Sequence, residues 1–189
     1  MDKRTFLRSM VATMMLIGGV MIATPFVESL SINPRQENAA WHACDVSALS
    51  PGEMKKCGWS VVYRRTEEDR ASVTKFASLL ADPNSIESQQ PKGANNQWRS
   101  TNPEFFIFKP YAPVRGCLVE SVTTGQMFRW KLPENDALKE LPYFMEPCEG
   151  RTWDTSGRLY HRKGYPPEKN LIVPEVRWVS KTKVLVHAG

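Results

Sequence analysis

The side chains best suited to soft-metal or acid–base chemistry are the four cysteines, at 44, 57, 117 and 148, and the three histidines, at 42, 161 and 187. Thiolates and imidazoles ligate zinc, copper and iron–sulfur centres. Their spacing here assembles no such centre. No C-x-x-C occurs and no cysteine neighbours a histidine pair, so a zinc-finger reading has no support. His161 is expected to be a half-exposed strand residue and not a ligand. G-x-S-x-G, a Gly-rich phosphate loop and H-E-x-x-H are all missing, so catalysis by the chain alone is not expected. An even cysteine count outside the cytosol implies disulfides instead.

The elements that must position these residues follow from composition and pattern. The chain has 189 residues, 41% hydrophobic, 24% charged and 10% aromatic. That profile excludes collagen-like, disordered and multi-pass membrane classes, and the length allows one domain plus an extension. Of the net charge of +5, Lys3, Arg4 and Arg8 against Asp2 carry +2, and 22 basic against 19 acidic residues carry the other +3. No basic stripe interleaves with aromatics, so nucleic acid is not an expected partner.

From Met10 to Val27 run eighteen residues without a charge. As a helix they span about 27 Å, close to a hydrocarbon core of ~30 Å. The competing reading is a cleaved signal peptide, but the run ends in Thr24-Pro25-Phe26-Val27 with no small-x-small site, so an uncleaved anchor is expected over 10–27. The positive-inside rule keeps residues 1–9 cytoplasmic and places 28–189 on the other face. Lys3-Arg4-Thr5-Phe6-Leu7 resembles a twin-arginine export signal whose first Arg is Lys; a plain start–stop anchor looks much the same. Residues 28–40, polar and containing Pro34, read as a hinge or linker.

Residues 41–189 read as a mainly β, antiparallel domain with one inserted helix. Strand-like Trp41–Leu49 and Trp59–Arg65 flank a Ser50-Pro51-Gly52 turn. A turn centred between Ser50 and Pro51 sets Cys44 opposite Cys57. That register permits a cross-strand disulfide, and a one-residue slip abolishes it. Thr66 before Glu67, Glu68 and Asp69 is a helix start. Val73, Phe76, Ala77 and Leu80 give that helix an apolar face, and Asp82-Pro83-Asn84-Ser85 ends it. Further strands are expected at Phe105–Lys109, Cys117–Val122, Gln126–Leu132, Thr152–Asp154, Arg158–His161, Leu171–Val179 and Lys183–His187.

Three parts of the chain carry a family resemblance: PFVESLSINPR (Pro25–Arg35); LADPNSIESQQP (Leu80–Pro91) with WRSTNPEFFIF (Trp98–Phe108); and EGRTWDTSGRLYHRKGYPPEKNLIVPEVRW (Glu149–Trp178). Together they resemble the Rieske iron–sulfur subunit of quinol–cytochrome c oxidoreductase, the cytochrome bc-type complex, over almost the whole chain and in order. The resemblance implies a Rieske-like β-domain with a cluster-binding tip at about 110–167. In the family, C-T-H-x-G-C and C-P-C-H-G supply two thiolates and two imidazoles to a 2Fe–2S centre, and the remaining cysteines form a disulfide. Here the motifs read Ala112-Pro113-Val114-Arg115-Gly116-Cys117 and Glu146-Pro147-Cys148-Glu149-Gly150. The ligand positions are therefore Ala112, Val114, Glu146 and Glu149, none of them Cys or His.

The resemblance implies a disulfide between Cys117 and Cys148, and Gly116, Pro147 and Gly150 match the loop-shaping positions. Arg151 and Trp153 replace the Ser and Tyr whose hydroxyls tune the cluster. Gly164-Tyr165-Pro166-Pro167 keeps the covering loop. No cluster is expected. Nor is another metal, since two carboxylates without imidazole or free thiolate make a poor site; Arg115 and Arg151 suggest ion pairs.

These features imply a membrane-anchored, cluster-less Rieske-type subunit with a structural, accessory or supercomplex-bridging role. Quinol oxidation through its tip should fail, because the family's two ligand histidines are what touch the quinol. The expected partners are cytochrome b and cytochrome c1-type subunits, a terminal oxidase or an intact Rieske subunit, and the lipid bilayer. The expected place is the bacterial inner membrane, single-pass, with the C-terminal domain periplasmic. The alternatives are an electron-transferring iron–sulfur subunit of the same complex and a free anchored binding module.

Overall fold

Four consecutive apolar residues, Phe105-Phe106-Ile107-Phe108, are all buried. A strand can bury every residue only when both of its faces are covered. The computed structural model shows what covers them. It describes residues 2–5, 7, 8, 10, 40–122, 143–161 and 168–188. The expected anchor beyond Met10, the linker before residue 40, the strand at 126–132 and the loop at 164–167 lie outside the described residues. Among the described residues, no helix is long and apolar enough to cross a membrane.

Residues Trp41–Gly189 form one compact unit. Its described strands are β1 (Trp41–Asp45), β2 (Met54–Cys57), β3 (Ser60–Arg64), β4 (Phe105–Phe108), β5 (Glu120–Val122), β6 (Tyr143–Met145), β7 (Thr152–Trp153), β8 (Val176–Trp178) and β9 (Lys183–His187). They make three antiparallel sheets, ordered β1-β9-β8, β2-β3-β4 and β5-β6-β7. Period-two alternation splits β4 between two cores. Phe105 and Ile107 join Cys44, Cys57, Val62 and Val184 on the side of the first sheet. Phe106 and Phe108 join Tyr63, Phe144, Trp153 and Leu171 on the side of the third. The middle sheet is thus sandwiched.

The inserted helix, α1 (Glu67–Lys75), starts as its sequence implies. Thr66 and Asp69 form a reciprocal capping box. The helix is shorter than expected, passing through its C-cap Phe76 into a 3-10 turn at Ala77–Leu79. Val73 and Leu80 are buried, and Phe76 and Ala77 half-buried, so the apolar face holds although the helix does not.

The N-terminal hairpin is where the expected pairing fails. β1 does not pair with the strand after Gly52. It pairs with β9, Cys44 opposite Val184, and β3 pairs instead with β2 through the tight Gly58–Trp59 turn. Cys44 and Cys57 are still bonded, with Cα atoms 5.9 Å apart. The bond therefore crosses between two sheets and not between hairpin strands. Residues Arg158–His161 form only isolated bridges, Leu80 to Tyr160 and Trp153 to Leu159, and His161 is exposed. Within Leu171–Val179 only Val176–Trp178 pairs as strand.

Candidate functional site

β4 runs out through Pro110 into the loop 112–117, and the chain leaves β6 into the loop 146–151 before β7. The two loops close by the same hydrogen bonds. Ala112 N donates to Cys117 O at 2.8 Å and accepts, through its carbonyl, from Gly116 N at 2.7 Å. Glu146 N donates to Arg151 O at 3.1 Å and its carbonyl accepts from Gly150 N at 3.1 Å. Each tight loop needs a left-handed residue at its fifth position, and Gly116 (φ 71°) and Gly150 (φ 76°) supply it. The Cys117–Cys148 disulfide joins the loops, Cα to Cα 6.4 Å.

The four ligand positions implied by the resemblance all lie in these loops. Ala112 is 1% exposed and packs into the core with Phe108 and Val119. Val114 is exposed, and its amide donates to Glu168 Oε1 at 2.9 Å. Glu146 is fully buried, and its carboxylate turns back into its own loop. Oε1 accepts from Arg151 N at 2.9 Å, and Oε2 from Glu149 N at 3.0 Å. A carboxylate in such a nest of amides is held as firmly as a capped helix end. Glu149 lies between two arginines, Arg115 Nε at 3.6 Å and Arg151 Nη2 at 2.9 Å. Arg115 belongs to the first loop, so this ion pair is a second link between the loops.

A 2Fe–2S centre of the Rieske kind asks this tip for two thiolates and two imidazoles. Ala112 and Val114 carry no side-chain donor atom, while Glu146 and Glu149 offer only carboxylate oxygens, hard donors where the cluster takes thiolate and imidazole. The residues present do not fit that group. The sulfurs of Cys117 and Cys148 lie with a Glu146 oxygen inside 4.8 Å, but both are spent on the disulfide. No histidine joins them. His42 packs on Gly58, where an added Cβ would meet its ring at 2.3 Å, and His187 sits edge-on to Trp41 at 5.0 Å.

Sequence reasoning missed the buried arginines gathered at the turn that follows β7. Arg65 is 1% exposed and uses all five N–H directions. It donates to the carbonyls of Trp98, Pro103, Phe105 and Thr155 and to Ser156 Oγ. Arg99, fully buried, donates to Gln90 Oε1 and to the carbonyls of Gly157 and Leu171. Burial pulls both guanidinium groups down to about 10, against the pull of Asp154. Arg158 pairs with Asp154 at 2.6 Å and donates to Val73 O in α1. Together they tie α1 and the 96–104 loop to the turn at 154–157, directly after β7. Trp153, fully buried, donates from Nε1 to Lys169 O at 2.9 Å.

No family model matches the sequence, nor does any curated protein. Among solved structures, a chain of a hyperthermophilic respiratory Complex III is similar, with a TM-score of 0.50 over 92% of this chain and 96% of that one. The two share a fold. At 14% identity the likeness says nothing of chemistry, and the tip must be read from its own residues.

Proposed function

We propose that this chain is a Rieske-type subunit of a cytochrome bc-type complex, anchored in the membrane by residues 10–27. It carries no 2Fe–2S centre, and its role is structural: an accessory subunit held by its anchor and its β-domain. The observation that carries this reading is the state of the tip. Its scaffold is kept in both glycine-closed loops and in the staple, while none of the four ligand positions holds a thiolate or an imidazole. Glu146 binds its own loop's amides, Glu149 bridges two arginines, Ala112 is core and Val114 is exposed alkyl.

The likeness to a Complex III chain supports the complex as host. The exported side is supported by two disulfides in one domain, a pairing suited to an oxidising compartment. Electron transfer by this chain is disfavoured, because alkyl groups and carboxylates do not replace thiolate and imidazole. Membership is tested by solubilising the membranes gently and separating native complexes. Comigration of this chain with cytochrome b is expected. A chain that stays in the membrane fraction but runs alone is a free anchored module, which contradicts the proposal.

A further inference from the structure

The staple holds two sulfurs against a buried carboxylate. Cys117 Sγ, Cys148 Sγ and a Glu146 oxygen all lie within 4.8 Å of one another. Cys148 is exposed and Cys117 half-buried, so a solution thiol can reach the bond. We propose that reducing Cys117–Cys148 turns the tip into a site for a borderline-soft divalent cation of the zinc type. The ligands are the thiolates of Cys117 and Cys148, the Glu146 carboxylate and a water molecule. These are not the four positions that the resemblance marks as cluster ligands.

A thiolate of an external dithiol attacks the exposed Cys148 Sγ and forms a mixed disulfide, and Cys117 leaves as thiolate. The reductant's second thiol then displaces Cys148 and closes the reductant's own disulfide. Two electrons pass to the cystine, and two protons from the dithiol go to solvent as the cation takes both thiolates.

The geometry suits a tetrahedral ion. Zinc–sulfur bonds of about 2.3 Å set two thiolates roughly 3.8 Å apart, so the two sulfurs must separate once their bond is cut. Each loop is closed by its own backbone bonds, Ala112–Cys117 in one and Glu146–Arg151 in the other, and the metal would take over the staple's part in joining them. Glu146 is oriented by the amides of Glu149 and Arg151, and these do not exhaust a carboxylate's lone pairs. Three anionic ligands exceed the charge of a divalent ion by one, and Arg115 and Arg151, both paired to Glu149, lie beside the site to offset the excess. The inference holds whether or not the chain belongs to a bc-type complex.

The test uses the full chain in detergent, reduced with a phosphine because dithiols chelate zinc themselves, then desalted without air and titrated with Zn²⁺ alone. Zinc per chain and the zinc-edge X-ray absorption spectrum are measured. The reduced chain is expected to hold one zinc with two sulfurs in its shell, and the oxidised chain none. The double variant C117S/C148S should lose the zinc, while C44S/C57S keeps it. Glu146→Gln should bind about tenfold more weakly with both sulfurs retained. Zinc held equally by the oxidised chain or by C117S/C148S, or a spectrum without sulfur, overturns the proposal. An unchanged affinity in Glu146→Gln overturns the carboxylate's part in it. If C117S/C148S does not fold, the spectrum of the unaltered chain decides by the presence or absence of two sulfurs.

Discussion

Removing the carboxylate of Glu146 strips the acceptors from two amides, Glu149 N and Arg151 N, at a fully buried position. Each orphaned donor costs about 1–3 kcal/mol, so Glu146→Ala should lose about 3 kcal/mol in urea unfolding of the full chain followed by tryptophan fluorescence. Glu146→Gln keeps one oxygen for Arg151 N and should lose about 1 kcal/mol. Equal losses would show that the amides do not depend on this side chain. Tyr63 donates to Asp69 Oδ2 at 2.7 Å, and both Tyr63 and Tyr160 are raised well above 10, by burial first and a neighbouring aspartate second. A phenol raised in the folded state contributes stability below the ordinary value near 10, and loses it as pH rises through the folded value. Arg65 and Arg99, lowered to about 10, act with the opposite sign: the cost of burying their charge is relieved as pH rises past about 10 toward the ordinary guanidinium value. Between pH 7 and 9 all four keep their protonation and contribute no slope. A spectrophotometric titration isolates the phenols. Two of the five tyrosines should ionise only as the chain unfolds, and Tyr63→Phe or Tyr160→Phe should each remove one.

Cys44–Cys57 ties the β1-β9-β8 sheet to the β2-β3-β4 sheet, and with 13 residues of separation its loss should cost about 3 kcal/mol. Thermal unfolding of C44S/C57S against the oxidised chain measures this. A cost near zero would mean that the shared core of Val62, Ile107 and Val184 holds the sheets unaided. Gly157 has φ 69°, and a Cβ there would lie 2.5 Å from Phe106 Cζ, between the arginine cluster and the core. Gly157→Ala should therefore destabilise by more than about 2 kcal/mol.

The same elements show what a sequence reveals. Phe105–Phe108 is legible because a short apolar run flanked by turn residues fits a doubly buried strand. Thr66 is legible because capping is local chemistry. β2 is not. Met54-Lys55-Lys56 is an exposed edge, and edge strands carry charge and little alternation. Without β2, the nearest partner for β1 along the sequence is β3. Cys44 and Cys57 are bonded all the same, because β1 and β2 are in contact across the sheet boundary. At the tip, the loop positions and the staple came from the resemblance. The turn of Glu146 into its own amides depends on backbone directions that no residue pattern encodes. Arg65 and Arg99 look like surface charge in sequence; only the fold brings five and four acceptors, respectively, around them.

At the scale of the whole molecule, a two-core β-sandwich carries a tip whose loops are joined by a disulfide and a charge-paired glutamate. The ion pair alone is weak. Arg115 and Glu149 are 45% and 33% exposed, which puts their pair in the range of about 0–1 kcal/mol. The disulfide is the principal clasp, and the tip should loosen on reduction while the sandwich stays folded. Hydrogen exchange should then quicken at residues 112–117 and 146–151 and stay slow in β3 and β4. On the proposed reading, this tip supports the fold and holds no redox centre. The direct measurement is iron, acid-labile sulfide and the reduced-state electron paramagnetic resonance spectrum of the full chain, purified without air from its own membranes. The prediction is no stoichiometric iron or sulfide and no Rieske signal in the purified chain. Two irons and two sulfides per chain, with that signal, would contradict it.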